Sequence, residues 1–129
     1  MKFGYTIIYV TNVLNSLTFF ETAFGFSRKF LDESGTYGEL DTGETTLSFA
    51  AHSLGASNLP NGYVSAESSI NPLGIEIAFI TDDVEMAHQK AIAAGALEIE
   101  VPLKKPWGQT VSYVRCPDGT LIELCTPVT

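Results

Sequence analysis

Positive charge is scarce in this sequence. Seven Lys and Arg stand against fifteen Asp and Glu in 129 residues, a formal net charge of −8. A nucleic-acid surface needs clustered basic side chains, and Lys104-Lys105 is too short a run to hold a polyanion. Cysteine is equally sparse. Cys116 and Cys125 lie on opposite arms of a predicted hairpin, but the turn between them sets Cys125 opposite Val111, so two free thiols and a reducing, cytoplasmic setting are expected. No apolar run approaches the ~18–20 residues of a membrane-spanning helix. The opening Met1-Lys2-Phe3-Gly4-Tyr5 runs straight into a strand without a signal-peptide profile. A phosphate-binding loop, a Cys-x-x-Cys pair and a nucleophile elbow are all missing.

What is present is enough for one core without disulfides: 45% of the residues are hydrophobic and 17% charged. We read a single domain over residues 1–129. The acidic balance suits a cationic ligand and equally suits plain solubility.

The chain divides into two similar halves. In residues 4–52, Gly4 to Thr11 alternates as a strand, with Tyr5, Ile7 and Tyr9 on one face and Thr6, Ile8 and Val10 on the other. Asn12 can cap a helix over Val13 to Phe24, which carries Val13, Leu17, Phe20 and Phe24 at helical spacing and ends at Gly25. Strands follow at Phe26–Glu33, Tyr37–Asp41 and Thr45–Ala51. Residues 74–127 repeat the order: a strand over Gly74–Thr81, a helix over Val84–Ala94 capped by Asp82 or Asp83 and ended by Gly95, a strand over Ala96–Val101, a loop over Pro102–Gly108, and a closing hairpin. The strand-to-helix junctions Thr11-Asn12-Val13 and Asp82-Asp83-Val84 sit 71 residues apart, and the helix-ending glycines 70 apart. Such a repeat implies two βαβββ modules packed by pseudo-symmetry. Residues 53–73, rich in Ser, Asn, Gly and Pro, show no periodicity and read as a loop linking the modules.

The closing hairpin, Val111 to Pro127, turns at Pro117-Asp118-Gly119, where Pro presets φ, Asp bonds its own backbone and Gly accepts positive φ. In its last strand Ile122 and Leu124 face the core, while Glu123 shares the other face with Leu121 and Cys125. A carboxylate between apolar neighbours needs a partner, because uncompensated polar burial costs roughly 2–7 kcal/mol. With the modules edge to edge, strand parity lines one cleft with Tyr5, Ile7, Glu76, Ala78 and Glu123.

The paired βαβββ halves, the helix ends Phe24-Gly25-Phe26 and Ala94-Gly95-Ala96, and the block Pro117-Asp118-Gly119-Thr120-Leu121-Ile122-Glu123-Leu124 resemble the vicinal-oxygen-chelate superfamily of glyoxalase I, extradiol dioxygenases, fosfomycin-resistance enzymes and bleomycin-resistance proteins. The resemblance covers nearly the whole chain. It implies an α+β fold, two tandem βαβββ modules forming a cup-shaped mixed sheet, in a cytoplasmic homodimer. In metal-dependent members, inward groups on the first and last strand of each half hold the ion, commonly His or Glu. Here those positions carry Tyr5, Ser48 (or a neighbour), Glu76 and Glu123.

Two functions follow as expectations. The leading one is a metal-free small-molecule binder of the bleomycin-resistance type, whose acidic, aromatic-lined cleft takes a cationic or amphipathic ligand. The alternative is a metal-dependent lyase or isomerase of the glyoxalase I type, using Ni, Zn, Mn or Fe on Glu76 and Glu123 with His52, and Glu123 as its catalytic carboxylate. Glu76 and Glu123 could instead be satisfied by backbone, Arg115 or tyrosine hydroxyls. Tyr5, Ile7, Tyr9, Ser48, Trp107, Gln109 and Tyr113 are candidate ligand contacts, Trp107 from a loop. His52 follows the last strand of the first half and could reach the site. His88 reads as a solvated helix residue, and Cys125 as a small buried one.

Overall fold

The structure is a computed structural model and describes residues 1–128. The first sheet holds β1 (Tyr5–Val10), β2 (Ser27–Leu31), β3 (Tyr37–Asp41) and β4 (Thr46–Ala51) in the order β1-β4-β3-β2. The second holds β5 (Glu76–Ile80), β6 (Leu97–Lys104), β7 (Thr110–Arg115) and β8 (Leu121–Cys125) in the order β5-β8-β7-β6. In each sheet the first strand runs parallel to the last and the other pairs are antiparallel. Among the described residues the two sheets share no ladder, and β1 and β5 each end their sheet.

Helix α1 (Val13–Phe24) crosses from β1 to β2, and α3 (Val84–Ala94) from β5 to β6. The Asn12 and Asp83 side chains accept from the N–H groups of Asn15 and Met86, capping the two helices, and Gly25 and Gly95 end them in the left-handed conformation. Each helix lays its apolar stripe on its own sheet. Val13, Leu17 and Phe20 are buried with Leu40 and Phe49; Val84 and Ala91 are buried with Val114, Ile122 and Leu124. The helices also pack on each other. Phe79 of β5 meets Phe24 and Phe26 of the first module, with ring centres 5.1 and 4.8 Å apart. A buried hydrogen bond adds to this junction: Ser16 of α1 donates to Asp118 in the β7–β8 turn at 3.0 Å. Asp118 also accepts from the N–H and hydroxyl of Thr120, as an Asp at that turn position should.

Three expectations about elements are revised. Residues 53–58 are not loop but belong to a short helix, α2 (His52–Asn58), and a 3-10 turn forms at Ala66–Ser68. β6 does not stop at Val101; it continues through Pro102 to Lys104. Proline is tolerated there because β6 is an edge strand and its register shifts between Glu100 and Leu103. His88 is not solvated. It lies on the same helical stripe as Val84 and Ala91 and is only 4% exposed. Cys116 and Cys125 are free and buried, and Val111 stands opposite Cys125.

Candidate functional site

The register fixes what each sheet presents on the face away from its helix. In the second sheet Glu123 is flanked by Ala78 on β5 and Tyr113 on β7. The Tyr113 hydroxyl donates to Glu123 Oε1 at 2.8 Å. That bond, then burial, then the charges of Glu123 and Glu76 push the Tyr113 phenol up to about 12. Glu76 lies on the same face of β5, two residues before Ala78. Partial burial and the nearby Glu123 charge push its carboxyl upward. Burial, followed by the charge of Glu123, raises the Cys125 thiol as well.

In the first sheet Ile7 pairs with Ser48, and Ser48 with Glu39. Ser48 therefore holds the place that Glu123 holds in the second sheet, which settles the one-residue ambiguity of the sequence. It is fully buried, and the Tyr37 hydroxyl lies 3.0 Å from its Oγ and 2.8 Å from Glu39 Oε2. Burial raises the Tyr37 phenol most, the Ser48 contact opposes it, and the bond to Glu39 and its charge add to the rise. Glu39 and Tyr37 were missed by sequence reasoning. Their alternation along β3, read against Ser48, is the signal that identifies them. Tyr5 and Ile7 are exposed on β1, and the Tyr9 ring stacks on Tyr63 with centres 4.8 Å apart. Ile7, Tyr9, Ile75 and Ile77 help line an apolar cavity of about 230 Å³ at the seam between β1 and β5. Glu76 and Glu123 stand outside that lining.

The linker forms one wall of the seam. Arg115 does not reach Glu123; its guanidinium donates to the carbonyls of Ala66, Ser69 and Ile70 at 2.7–3.0 Å. Gly119 (φ +90°) passes directly beneath it: a Cβ there would lie 2.3 Å from Ala66 C and O. His52 has both ring nitrogens engaged, Nδ1 with Tyr63 and Nε2 with Glu67.

The remaining candidates sit elsewhere. Trp107 is 66% exposed and donates its indole N–H to Gln109 Oε1 at 2.8 Å, while Gln109 donates to the Thr126 carbonyl at 2.7 Å. His88 is held by Glu98 at Nε2 (2.8 Å) and by the fully buried Ser112 at Nδ1 (2.9 Å). With Nε2–H donating to the carboxylate, Nδ1 of the neutral ring accepts the serine proton.

A family model for a glyoxalase-like domain matches residues 3–129. The chain belongs to the glyoxalase-like domain family. Among solved structures, a glyoxalase/bleomycin resistance protein/dioxygenase family enzyme from Burkholderia phytofirmans PsJN superposes with a TM-score of 0.81 at 22% identity, covering 100% of both chains. A glyoxalase-related enzyme from Fulvimarina pelagi gives 0.82 at 16% identity, over 98% of this chain and 88% of that one. A superfamily member from Sphaerobacter thermophilus DSM 20745 gives 0.71 at 22% identity, over 98% of each. At these identities the likeness carries the fold alone. No curated protein matches the chain by sequence.

A glyoxalase-like fold raises the question of a metal. Of the four positions at issue, Tyr5 is a poor ligand and Ser48 is buried beneath the Tyr37 hydroxyl, which leaves the carboxylates of Glu76 and Glu123. Among the described residues no three His, Cys, Asp or Glu side chains converge as a ligand set. This donor set does not fit the ion of the metal-dependent members.

Proposed function

We propose that this glyoxalase-like protein is a metal-free small-molecule binder, holding a cationic or amphipathic ligand on the open faces of its sheets around Glu76 and Glu123. The observation that carries the reading is the pair itself. Glu123 is fixed by Tyr113, and Glu76 is pushed toward protonation beside it. A cationic group between them relieves that repulsion, and the Tyr113 ring offers it an aromatic neighbour. Glu39 adds a carboxylate to the first sheet, and Tyr5 and Tyr37 add aromatic surface.

The test pairs two measurements on protein purified without chelator or affinity metal. Elemental analysis is expected to find no stoichiometric metal, and melting is expected to be unchanged by EDTA or by added Ni, Zn, Mn or Fe. Calorimetric titration with a panel of amphipathic amines should give a binder that Glu76→Gln weakens at least about tenfold, or ~1.4 kcal/mol. A stoichiometric metal with a chelator-sensitive melt would replace this reading with the metal-dependent lyase.

We also propose that the protein is a cytoplasmic homodimer. Leu97, Val101 and Leu103 on edge strand β6 are each at least half exposed, an apolar row that a second copy would cover. The free thiols suit a reducing compartment. Among the described residues no helix is long and apolar enough to cross a membrane. Light scattering on a sizing column tests the dimer; a monomer mass would overturn it.

A further inference from the structure

Away from the carboxylate pair, four side chains meet near the C-terminal ends of β1 and β4: Thr11 after β1, His52 opening α2, Tyr63 in the linker and Glu67 in the 3-10 turn. The Thr11 hydroxyl donates to Glu67 Oε1 at 2.6 Å, and His52 Nε2 engages the same oxygen. His52 Nδ1 lies 2.6 Å from the Tyr63 hydroxyl. Burial pushes Glu67 up, but the bonds from Thr11 and His52 outweigh it and hold the carboxyl below its ordinary value. An ionised carboxylate only accepts, so Nε2 carries a proton. In the neutral ring Nδ1 is then the acceptor for the Tyr63 proton. The order carboxylate, imidazole, hydroxyl is that of a base-activated nucleophile.

The arrangement is built rather than incidental. Gly55 of α2 is the seat of the Tyr63 hydroxyl: a Cβ there would lie 2.3 Å from that oxygen and 2.7 Å from the ring. Arg115 fixes the turn bearing Glu67 through the Ala66 and Ser69 carbonyls, and Tyr9 braces the Tyr63 ring. Reagents can also approach. The His52 and Glu67 side chains are 32% and 27% exposed, and with Tyr63 they border an open surface cavity of about 410 Å³ with Leu59, Pro60 and Gly62. Burial, then the charges of Tyr9 and Glu67, push the phenol upward, so its proton needs a base if the oxygen is to attack.

We propose that Tyr63 is an acyl acceptor for small activated esters, with His52 as its base and Glu67 supporting the imidazolium. The Tyr63 oxygen bonds to the ester carbonyl carbon while its proton moves to His52 Nδ1. The carbonyl re-forms as the bond to the leaving oxygen breaks. The departing alkoxide or phenoxide takes the proton back from Nδ1. The products are O-acyl-Tyr63, an alcohol or phenol, and a neutral His52.

The experiment treats the full chain with p-nitrophenyl acetate and maps acetylation by peptide mass spectrometry, with exposed Tyr5 as an internal competitor. Tyr63 should be acetylated at least about tenfold faster than Tyr5, in keeping with the gain from a positioned base. His52→Gln and Glu67→Gln should lower Tyr63 labelling to the Tyr5 rate while leaving Tyr5 unchanged. Wild-type Tyr63 reacting no faster than Tyr5 overturns the proposal. So does a His52→Gln protein with native circular dichroism that labels Tyr63 at the wild-type rate. The wild-type competition decides the matter even if a variant fails to fold.

Discussion

Tyr113 and Glu123 form a phenol–carboxylate bond across the β7–β8 ladder, 2.8 Å long. Tyr37 and Glu39 form its counterpart in the other sheet, also 2.8 Å, but both lie on β3. The modules thus repeat a backbone plan without repeating its side chains. Ser48 takes the place of Glu123, and Glu39 the place of Tyr113. Each exposed sheet face carries a fixed acidic centre in a different position.

Tyr113 reports on this pair. Its pKa stands at about 12 against an ordinary 10.0. A raised folded-state value contributes stability that is whole below pH 10 and is lost as the pH climbs toward about 12. Glu123→Gln removes the charge and the bond to an anion. One tyrosine should then titrate nearer its ordinary value in the 295 nm absorbance. An unchanged alkaline titration would place Tyr113 elsewhere.

Glu76 follows the same rule in a lower pH window. Its carboxyl is raised by burial and then by Glu123, so the fold favours the protonated form. The stability tied to that form is present in acid and is lost as the pH rises through the folded value. At pH 7 Glu76→Gln should therefore leave the free protein unchanged or slightly more stable. The gain should stay within about 1 kcal/mol because solvent screens a surface carboxylate. Urea melts at pH 4 and pH 7 check this, with the benefit confined to the higher pH.

His88 is a structural anchor. His88→Ala opens a cavity and leaves the buried Ser112 hydroxyl without its partner. The expected loss is about 2–4 kcal/mol in urea unfolding. A loss below about 0.5 kcal/mol, the usual limit for surface substitutions, would return His88 to the surface.

Gly119 seats the linker. Gly119→Ala puts a methyl 2.3 Å from Ala66 backbone atoms at a φ of +90°. Such a backbone position costs a side-chain-bearing residue of order 1–3 kcal/mol. The linker should rise from the sheet: hydrogen exchange should accelerate in residues 63–70 while α1 and β8 stay protected. Uniform acceleration would mean global destabilisation instead.

Much of the fold was legible because its signals are local. Asn12 with Gly25, and Asp83 with Gly95, bracket the two long helices. Counting across the Pro117-Asp118-Gly119 turn placed Cys125 opposite Val111. The misses have non-local causes. Helix α2 has seven residues, too few for an apolar stripe, and it rests on the contact between Gly55 and Tyr63 from beyond its own end. His88 looked polar and therefore exposed, yet it keeps helical register with Val84 and Ala91; its partners Glu98 and Ser112 arrive from two other strands. At the site, parity along single strands found Glu76, Glu123 and Tyr113, whereas Glu39 and Tyr37 needed the cross-strand register.

Arg115 grips the linker by main-chain oxygens at Ala66, Ser69 and Ile70, and side-chain identity enters only at the Ser69 hydroxyl. Every residue type supplies a carbonyl. The grip of Arg115 therefore sets no requirement on most of the side chains in the segment, and Ile70 stands 95% exposed above its bonded carbonyl. The strap's hold on Arg115 is thus indifferent to side-chain identity, whereas Tyr63 and Glu67 are held through their side chains, so the positions open to change lie between these fixed points.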